Sequence, residues 1–134
     1  LNNARQQLTG TGIQTAALCA GGGDPVTAKA ETYDGSSWTE VADLNTARQY
    51  LIGAGTTTAG IAMGGGASPT WYDQTEEWDG AAWTEVADLS TARAGGVSGG
   101  TSVSSLFGGG GGSGGDVVTT EEWTVGQNIK VITD

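Results

Sequence analysis

The feature that most constrains this chain is a sequence repeated three times. The segments that begin at Leu1, Leu44 and Leu89 read LNNAR, LNTAR and LSTAR, and they divide the 134 residues into units 1–43, 44–88 and 89–134. Each unit continues with a glycine-rich run, a polar turn, a small apolar run, a glycine cluster and an acidic-aromatic run. In repeat proteins each unit folds as one supersecondary element and buries its apolar face against its neighbours.

The pattern inside each unit predicts four short β-strands. Turn residues separate the runs, and the repeat length falls in the range of about 40–50 residues typical of a propeller blade. We expect the first strands near residues 7–12, 50–55 and 95–100 and the second strands near 15–20, 58–63 and 102–107. Glycine in the first strand permits close backbone approach around a central channel. The sequence therefore predicts an all-β chain with three four-stranded antiparallel blades.

Aromatic residues mark the third and fourth strands of the units. Tyr33 and Trp38 flank DGSS, Trp78 and Trp83 flank DGAA, and Trp123 takes the equivalent place in the last unit. The Asp-Gly pairs predict hairpins. A Trp side chain buries about 150–250 Å², and a lone sheet offers no second layer to cover it. We therefore expect the rings to be buried between stacked blades.

Composition limits the partners. Fifteen acidic and five basic residues give a formal charge of −10, which disfavours nucleic acid and an anionic membrane surface as partners. Cys19 has no second cysteine to pair with and is expected to be a small buried residue. No apolar run approaches the roughly 18 residues of a membrane helix. Because position 1 is not Met, we expect a processed product or an excerpt of a longer protein.

Two segments match motifs of catalytic or metal sites, but each lacks residues that such a site requires. Residues 96–100 (GVSGG) and 111–115 (GGSGG) fit a nucleophile elbow, but the chain has no His to complete a triad. Residues 111–119 fit one copy of a calcium-binding nonapeptide, which needs successive copies. A flexible loop is the preferred interpretation, although Asp116 could touch an ion. We predict no enzyme activity, no cofactor and no metal centre.

The paired acids Glu76/Glu77 and Glu121/Glu122 could suggest a glycosidase. Adjacent residues on a strand point to opposite faces, so the members of a pair cannot act together. We expect one member of each pair to neutralise a buried Arg of the LNTAR element and the other to be solvated.

Trp71 and Tyr72 lie in the loop ASPTWYDQ, and the equivalent loops of the other two units contain no aromatic residue. A residue type found in one repeat is not required by the shared fold, and aromatic faces are common platforms for sugars and protein partners. We predict that Trp71 and Tyr72 bind a ligand or partner; the alternative is that they pack against an adjacent blade or another chain.

Several features recur in phase and closely resemble the kelch repeat. A double glycine ends an apolar strand, and after a variable loop come an aromatic residue with Asp, a further Trp and an Arg that opens the next unit. In this chain these are Gly21/Gly22, Tyr33, Asp34, Trp38 and Arg48, then Gly64/Gly65, Trp78, Asp79, Trp83 and Arg93. The third unit keeps Gly108/Gly109 and Trp123 but has Thr124 for Asp and Ile129 near the second Trp.

The kelch resemblance implies a β-propeller of four-stranded blades. Its structural motif residues would be Arg5, Arg48, Arg93, Tyr33, Trp38, Trp78, Trp83 and Trp123. The amino-acid sequence of the repeats is also similar to that of kelch-like repeats in marine bacteriophage structural proteins. Propellers usually carry about four to eight blades. We therefore expect half of a six-bladed ring closed by two chains, or equally part of a longer chain, with an open stack as a third arrangement.

These expectations favour a non-catalytic interaction module on a phage virion, a tail fibre or another extracellular surface. Its loops would recognise a receptor or a glycan, and it would self-associate or continue into further repeats. A structural assembly block of a fibre or filament is the alternative. A carboxylate-dependent glycan hydrolase or lyase ranks third.

Overall fold

The computed structural model describes residues 1–125 and 130–132. Within these residues all regular structure is β-strand, and no helix could span a membrane. Three four-stranded antiparallel sheets follow one another along the chain, one in each repeat unit. These sheets are the blades of a β-propeller-like fold and do not close into a ring. The prediction of an all-β chain with three four-stranded blades is confirmed.

Each blade uses its strands in chain order. Blade 1 contains β1 (Thr9–Ile13), β2 (Ala16–Ala20), β3 (Ala30–Tyr33) and β4 (Trp38–Val41). Blade 2 contains β5 (Ile52–Gly55), β6 (Gly60–Met63), β9 (Thr75–Trp78) and β10 (Trp83–Glu85), with a ribbon of β7 (Gly66–Ala67) and β8 (Thr70–Trp71) between β6 and β9. Blade 3 contains β11 (Val97–Thr101), β12 (Ser104–Gly108), β15 (Thr120–Thr124) and β16 (Lys130–Ile132), with a ribbon of β13 (Gly111–Gly112) and β14 (Gly115–Asp116) between β12 and β15.

The first strand of each blade starts two residues later than the sequence pattern predicts. Gln7, Tyr50 and Gly95 stand at the predicted starts and have φ angles of 59°, 58° and 68°. This left-handed conformation interrupts an extended backbone. The strands therefore begin only after this turn of the backbone.

The first strands lie innermost, as expected from their glycines. β5 lies against both β1 and β11. Ser98 Oγ donates a hydrogen bond of 2.8 Å to the Gly53 carbonyl across the two inner strands. A Cβ atom on Gly53 would lie 2.8 Å from the Thr9 hydroxyl and 2.8 Å from the Ile61 carbonyl. The absence of a side chain at this position lets the backbones of neighbouring blades approach.

The hydrophobic core lies between blades. The first cluster joins blades 1 and 2 and contains Leu18, Ala20, Ala30, Leu44, Leu51, Ala62, Trp78 and Trp83. The second joins blades 2 and 3 and contains Ala54, Ile61, Met63, Leu89, Phe107 and Trp123. The rings of Trp78 and Trp83 lie 5.4 Å apart at the first junction. The expected burial of indole rings between stacked blades is therefore present at both junctions; Ile129, expected near the second Trp of the third unit, lies outside the described residues.

A buried Arg–Glu ion pair recurs in every unit. The pairs are Arg5–Glu31, Arg48–Glu76 and Arg93–Glu121. In blade 2, Arg48 Nη2 lies 2.8 Å from Glu76 Oε1, and Arg48 Nη1 donates to the carbonyls of Gly64 and Gln74. The second carboxylate oxygen of Glu76 accepts the backbone N–H of Asn45 at 2.8 Å. The predicted division of the acidic pairs is thus present, because Glu76 is buried and Glu77 is only half-buried.

The same arginines join neighbouring blades through their backbones. The Gly22 N–H of blade 1 donates to the Arg48 carbonyl at 2.9 Å, whereas the Arg48 side chain binds blade 2. Arg93 repeats this arrangement, since its carbonyl accepts the Gly65 N–H at 2.8 Å and its side chain binds Glu121 of blade 3. Each of these two arginines therefore fixes one blade against the next.

Burial and pairing act together on the charges of these ion pairs. Burial raises the pKa of the Glu31 carboxyl. The hydrogen bond from the Asn2 amide and the charge of the Arg5 guanidinium together lower it by more, so the net pKa lies below its ordinary value. Burial lowers the pKa of the Arg48 guanidinium, and the nearby Glu76 carboxylate partly restores it. The Arg5 guanidinium therefore favours the charged form of Glu31, and the Glu76 carboxylate offsets part of the cost of burying the Arg48 guanidinium.

Replacing Arg48 with Met should strongly destabilise the fold. The change leaves the buried Glu76 carboxylate without its cation, which costs about 3–5 kcal/mol in the free energy of unfolding. Urea unfolding followed by Trp fluorescence measures this loss. Adding Glu76→Gln to the same chain should recover part of it, and Lys29→Met, which breaks the exposed pair with Glu40, should hardly move the unfolding midpoint. Equal midpoints for the Arg48 and Lys29 variants would contradict the structural role of the buried pair.

Gly53→Ala should lower the melting temperature, because the added methyl group meets the Thr9 hydroxyl and the Ile61 carbonyl of the neighbouring strands. Gly99→Ala is the matched control: a Cβ atom there meets no atom within 4 Å, its φ is not in the left-handed region, and blade 2 carries Ala54 at the equivalent position of a covered junction. The control should be neutral or gain about 0.4–1 kcal/mol through the unfolded state. Thermal unfolding of both variants decides, and an unchanged melting temperature for Gly53→Ala would disprove the close approach.

Candidate functional site

One end of the propeller carries the loops between the second and third strands together with the connections that enter each blade. Single β-bridges tie each connection to the loop of its own unit, at Gln6–Gly23, Gln49–Gly66 and Ala94–Gly111. Backbone hydrogen bonds therefore hold this end of the molecule in a fixed arrangement. Side chains that project from it stand on a rigid support.

Trp71 lies on strand β8 of the blade 2 ribbon, directly across from Gly66. A Cβ atom on Gly66 would lie 2.9 Å from the Trp71 Cα and 3.0 Å from the indole Cε3. The glycine therefore allows the ring to lie against the backbone of the opposite strand. Trp71 is half-buried, so part of the indole remains open to solvent.

Tyr50 lies beside Trp71, two residues before the inner strand of blade 2 begins. The two ring centroids are 6.0 Å apart and the planes meet at 80°, an edge-to-face arrangement. The backbone of Tyr50 is fixed on both sides: its N–H donates to Gln7 at 2.8 Å, and its carbonyl accepts the Gly95 N–H at 2.8 Å. A bulky residue in the left-handed region is uncommon and marks a position that its surroundings hold in place.

These two rings line an open cleft of about 460 Å³ between the ribbons of blades 2 and 3, which we call the ribbon cleft. Its lining residues are Gln49, Tyr50, Ser68, Trp71, Ala94, Gly95, Gly111, Gly112, Gly115 and Asp116. The volume falls within the range of about 300–1,000 Å³ typical of small-molecule sites. The cleft thus combines an aromatic wall with a wall of glycine backbone.

The far wall of the ribbon cleft presents Asp116. Asp116 pairs with Gly111 as Trp71 pairs with Gly66, so the two side chains occupy equivalent positions in successive ribbons. Cβ atoms on Gly111 and Gly115 would meet no atom within 4 Å, so this wall has space in front of its backbone. Asp116 is exposed. An aromatic surface therefore faces a carboxylate acceptor across an open gap.

The lining suits a ligand with both apolar C–H faces and hydroxyl groups. Aromatic rings pack against C–H faces, the amide of Gln49 can donate and accept hydrogen bonds, and the Asp116 carboxylate accepts them. Among the described lining residues Asp116 is the single charged one, and within the described chain no three His, Cys, Asp or Glu side chains cluster to hold a metal ion. This arrangement can bind and orient a ligand.

Of the two predicted binding residues, Trp71 and Tyr72, only Trp71 lines the ribbon cleft. The Tyr72 backbone donates to Gly65 at 2.8 Å and accepts from Arg93 at 3.2 Å, so this residue belongs to the junction between blades 2 and 3. Sequence reasoning missed Tyr50. The available signal was the one used for Trp71, since the equivalent residues of the other units, Gln7 and Gly95, are not aromatic.

The predicted motif residues lie away from the ribbon cleft. Arg5, Arg48 and Arg93 form the ion pairs described above, and Tyr33, Trp38, Trp78, Trp83 and Trp123 lie on the third and fourth strands of their blades. A second concavity of about 430 Å³ lies over the outer face of blade 3 and includes Leu106, Glu122 and Trp123. That face is the open end of the stack of blades.

Comparison with models of known protein families gave no match, and comparison with curated proteins gave none either. Among solved structures, one titled "Structure of YjhT" superposes with a TM-score of 0.78 at 18% sequence identity. The match covers 97% of this chain and 45% of that one, so this chain spans less than half the length of the structure it matches. The likeness is one of fold.

Proposed function

We propose that this protein is a non-catalytic interaction module that binds a glycan, free or on a receptor, in the ribbon cleft. The observation that carries the proposal is the edge-to-face pair of Tyr50 and Trp71, with Asp116 on the opposite wall. Trp71 is half-buried and Tyr50 is exposed, and aromatic rings with a few polar groups nearby are typical of recognition sites. A sugar ring offers the matching surface, because its C–H groups lie on its faces and its hydroxyls point outward.

Charge narrows the class of glycan. The chain carries a formal charge of −10, and the charged residue in the cleft lining is an acid. Anionic sugars such as sialylated or sulfated glycans would meet repulsion from this field. A neutral glycan is therefore the proposed ligand.

The placement of the glutamates supports binding rather than hydrolysis. Glycoside hydrolysis generally uses two carboxylates about 5–10 Å apart on either side of the scissile bond. Glu31, Glu76 and Glu121 are each bound to an Arg and to a backbone amide inside a blade. Their carboxylates are therefore occupied with holding the repeat together.

The proposed setting is a phage virion or tail fibre, or another extracellular surface. Support comes from the resemblance of the repeats to kelch repeats and to kelch-like repeats of phage structural proteins. A rigid β-structure with variable loops at one end suits a particle surface, because recognition residues can change while the blades remain.

Removing the aromatic wall should remove binding. Trp71→Ala and Tyr50→Gln should each weaken affinity for a neutral glycan by about tenfold or more, because aromatic anchors contribute most of the energy of such contacts. Gln is the residue that unit 1 carries in the same left-handed backbone conformation, so Tyr50→Gln changes the ring with little strain. A neutral-glycan array identifies the ligand, and isothermal titration gives the affinities.

Tyr72→Ala is the neighbouring control and should bind as the wild type does. Thermal unfolding of all three variants separates lost recognition from lost folding. The proposal is wrong if the Trp71 and Tyr50 variants bind with wild-type affinity, or if the wild-type chain retains no neutral glycan on the array.

A structural assembly block is the second candidate function. It is favoured by the apolar side chains exposed on the outer face of blade 3, among them Val97 and Leu106. Contiguous exposed apolar surface commonly marks an interaction site. Regular filaments of the purified chain in electron micrographs, together with no retained glycan, would favour this second function over recognition.

A further inference from the structure

The outer face of blade 3 exposes side chains that the other blades bury. Val97, Leu106 and Ile132 share this face and are 72%, 47% and 40% exposed. By strand register their equivalents in blade 2 are Ile52, Ile61 and Val86, which pack in the core against blade 3. Blade 3 therefore carries the apolar half of a blade junction without the other half.

The opposite end of the stack carries the other half. Leu1 is 46% exposed, whereas its equivalents Leu44 and Leu89 are 4% and 3% exposed because each packs at a junction with the preceding blade. The ring pair of Tyr33 and Trp38 is equivalent to Trp78 and Trp83 at the first junction, and both of its members are only half-buried. Blade 1 thus presents the surface that blades 2 and 3 use to cover their predecessors.

Backbone hydrogen bonds show the same complementarity. Several backbone bonds repeat at both internal junctions, three of them as follows. At the first junction these are Gly22 N–H to Arg48, Arg48 N–H to Thr27 and Tyr50 N–H to Gln7. At the second they are Gly65 N–H to Arg93, Arg93 N–H to Tyr72 and Gly95 N–H to Tyr50. On blade 3 the equivalent groups are the Gly110 N–H and the carbonyls of Val117 and Gly95. On blade 1 they are the Arg5 carbonyl and the N–H groups of Arg5 and Gln7. Within the described residues none of these six groups has a hydrogen bond.

Gly109 lacks the contact with an arginine carbonyl that its equivalents Gly21 and Gly64 make. A Cβ atom on Gly21 would lie 2.6 Å from the Arg48 carbonyl, and one on Gly64 would lie 2.5 Å from the Arg93 carbonyl. At the equivalent Gly109 the nearest atom is the Val117 carbonyl at 3.8 Å. The space that an arginine carbonyl occupies at both internal junctions is open at the end of blade 3.

We propose that blade 1 of a second copy covers the outer face of blade 3, and that two chains related by a two-fold axis close a ring of six blades. Val97, Leu106 and Ile132 would pack against Leu1, Tyr33 and Trp38 of the second copy. The Arg5 carbonyl would accept the Gly110 N–H, and Arg5 would then join blades between chains as Arg48 and Arg93 do within the chain.

A second copy fits because its blade 1 presents a leucine, an aromatic pair and an arginine backbone in the arrangement that the internal junctions use. The solved structure titled "Structure of YjhT" is more than twice as long as the three blades that match it, since the match covers 45% of that chain. A ring of six blades lies within the range of about four to eight usual for propellers. A two-fold arrangement satisfies both open ends at once and leaves no blade face exposed.

This proposal is independent of the ribbon cleft, so it is tested without any ligand. Light scattering coupled to size exclusion should give the purified chain a mass about twice its 13.4 kDa at micromolar concentration. Amide hydrogen exchange should show the Gly110 N–H protected to a similar degree as the Gly22 and Gly65 N–H groups, which are bonded at the internal junctions.

Variants on both faces identify the contact. Leu106→Glu on blade 3 and Trp38→Glu on blade 1 should each raise the dimer dissociation constant on the order of a hundredfold, because they place a charge in an apolar junction. Ile13→Glu is the control: Ile13 is 69% exposed at the tip of β1, and its equivalent at the second junction, Thr56, is also exposed. This variant should remain dimeric, and circular dichroism confirms that all three variants are folded.

A well-folded wild-type monomer at micromolar concentration would overturn the proposal. Filaments or a series of larger oligomers would overturn the closed ring in favour of an open stack. Dimers that survive both Leu106→Glu and Trp38→Glu would place the interface elsewhere. A parent polypeptide with further LNTAR-type units would identify those units, and not a second copy, as the cover of blade 3.

Discussion

The structure depends on the buried Arg–Glu pair, because this pair is where the fold of one blade and the stacking of two blades meet. The Arg48 side chain binds the Glu76 carboxylate and two carbonyls of blade 2, while its backbone accepts a hydrogen bond from Gly22 of blade 1. A buried charge is tolerated only with its partners in place. The guanidinium offers several donors in a fixed plane, so it satisfies these acceptors in one geometry. Blade stacking is thereby tied to a unique register.

The double glycine of one unit and the arginine of the next together form the close backbone contact between blades. Gly21 and Gly64 bring the blade backbone against the arginine carbonyl of the next unit, at a distance that leaves no room for a Cβ atom. Both glycines also have a positive φ, which other residues adopt at a cost. The repeat therefore needs glycine at this position for two reasons, and an arginine four residues after the leucine that opens the following unit. Together they explain why these residue types recur in phase while the loops between them vary.

Sequence alone could predict the blades, and the reason is visible in particular residues. The strand alternation that separates Glu76 from Glu77 also predicted that one acid of the pair is buried with an Arg, and the structure identifies that acid as Glu76. The site was less accessible to such reasoning. Tyr50 looked like the first residue of a strand, because its left-handed backbone is imposed by hydrogen bonds to Gln7 and Gly95, residues distant in sequence. Trp71 and Tyr50 both differ from the equivalent residues of the other units, which are not aromatic, but only the folded chain shows that the two rings lie together.

The ribbon cleft shows how such a repeat can vary its surface without changing its frame. Tyr50 stands on a backbone position that Gln7 and Gly95 share, and Trp71 stands where the next ribbon carries Asp116. Backbone β-bridges next to these positions recur in each unit, at Gln6–Gly23, Gln49–Gly66 and Ala94–Gly111. Substitution of the outward side chains therefore costs little stability, whereas substitution of the glycines or arginines beneath them disturbs the junction. Recognition can change at this end of the molecule while the stacking of the blades stays constant.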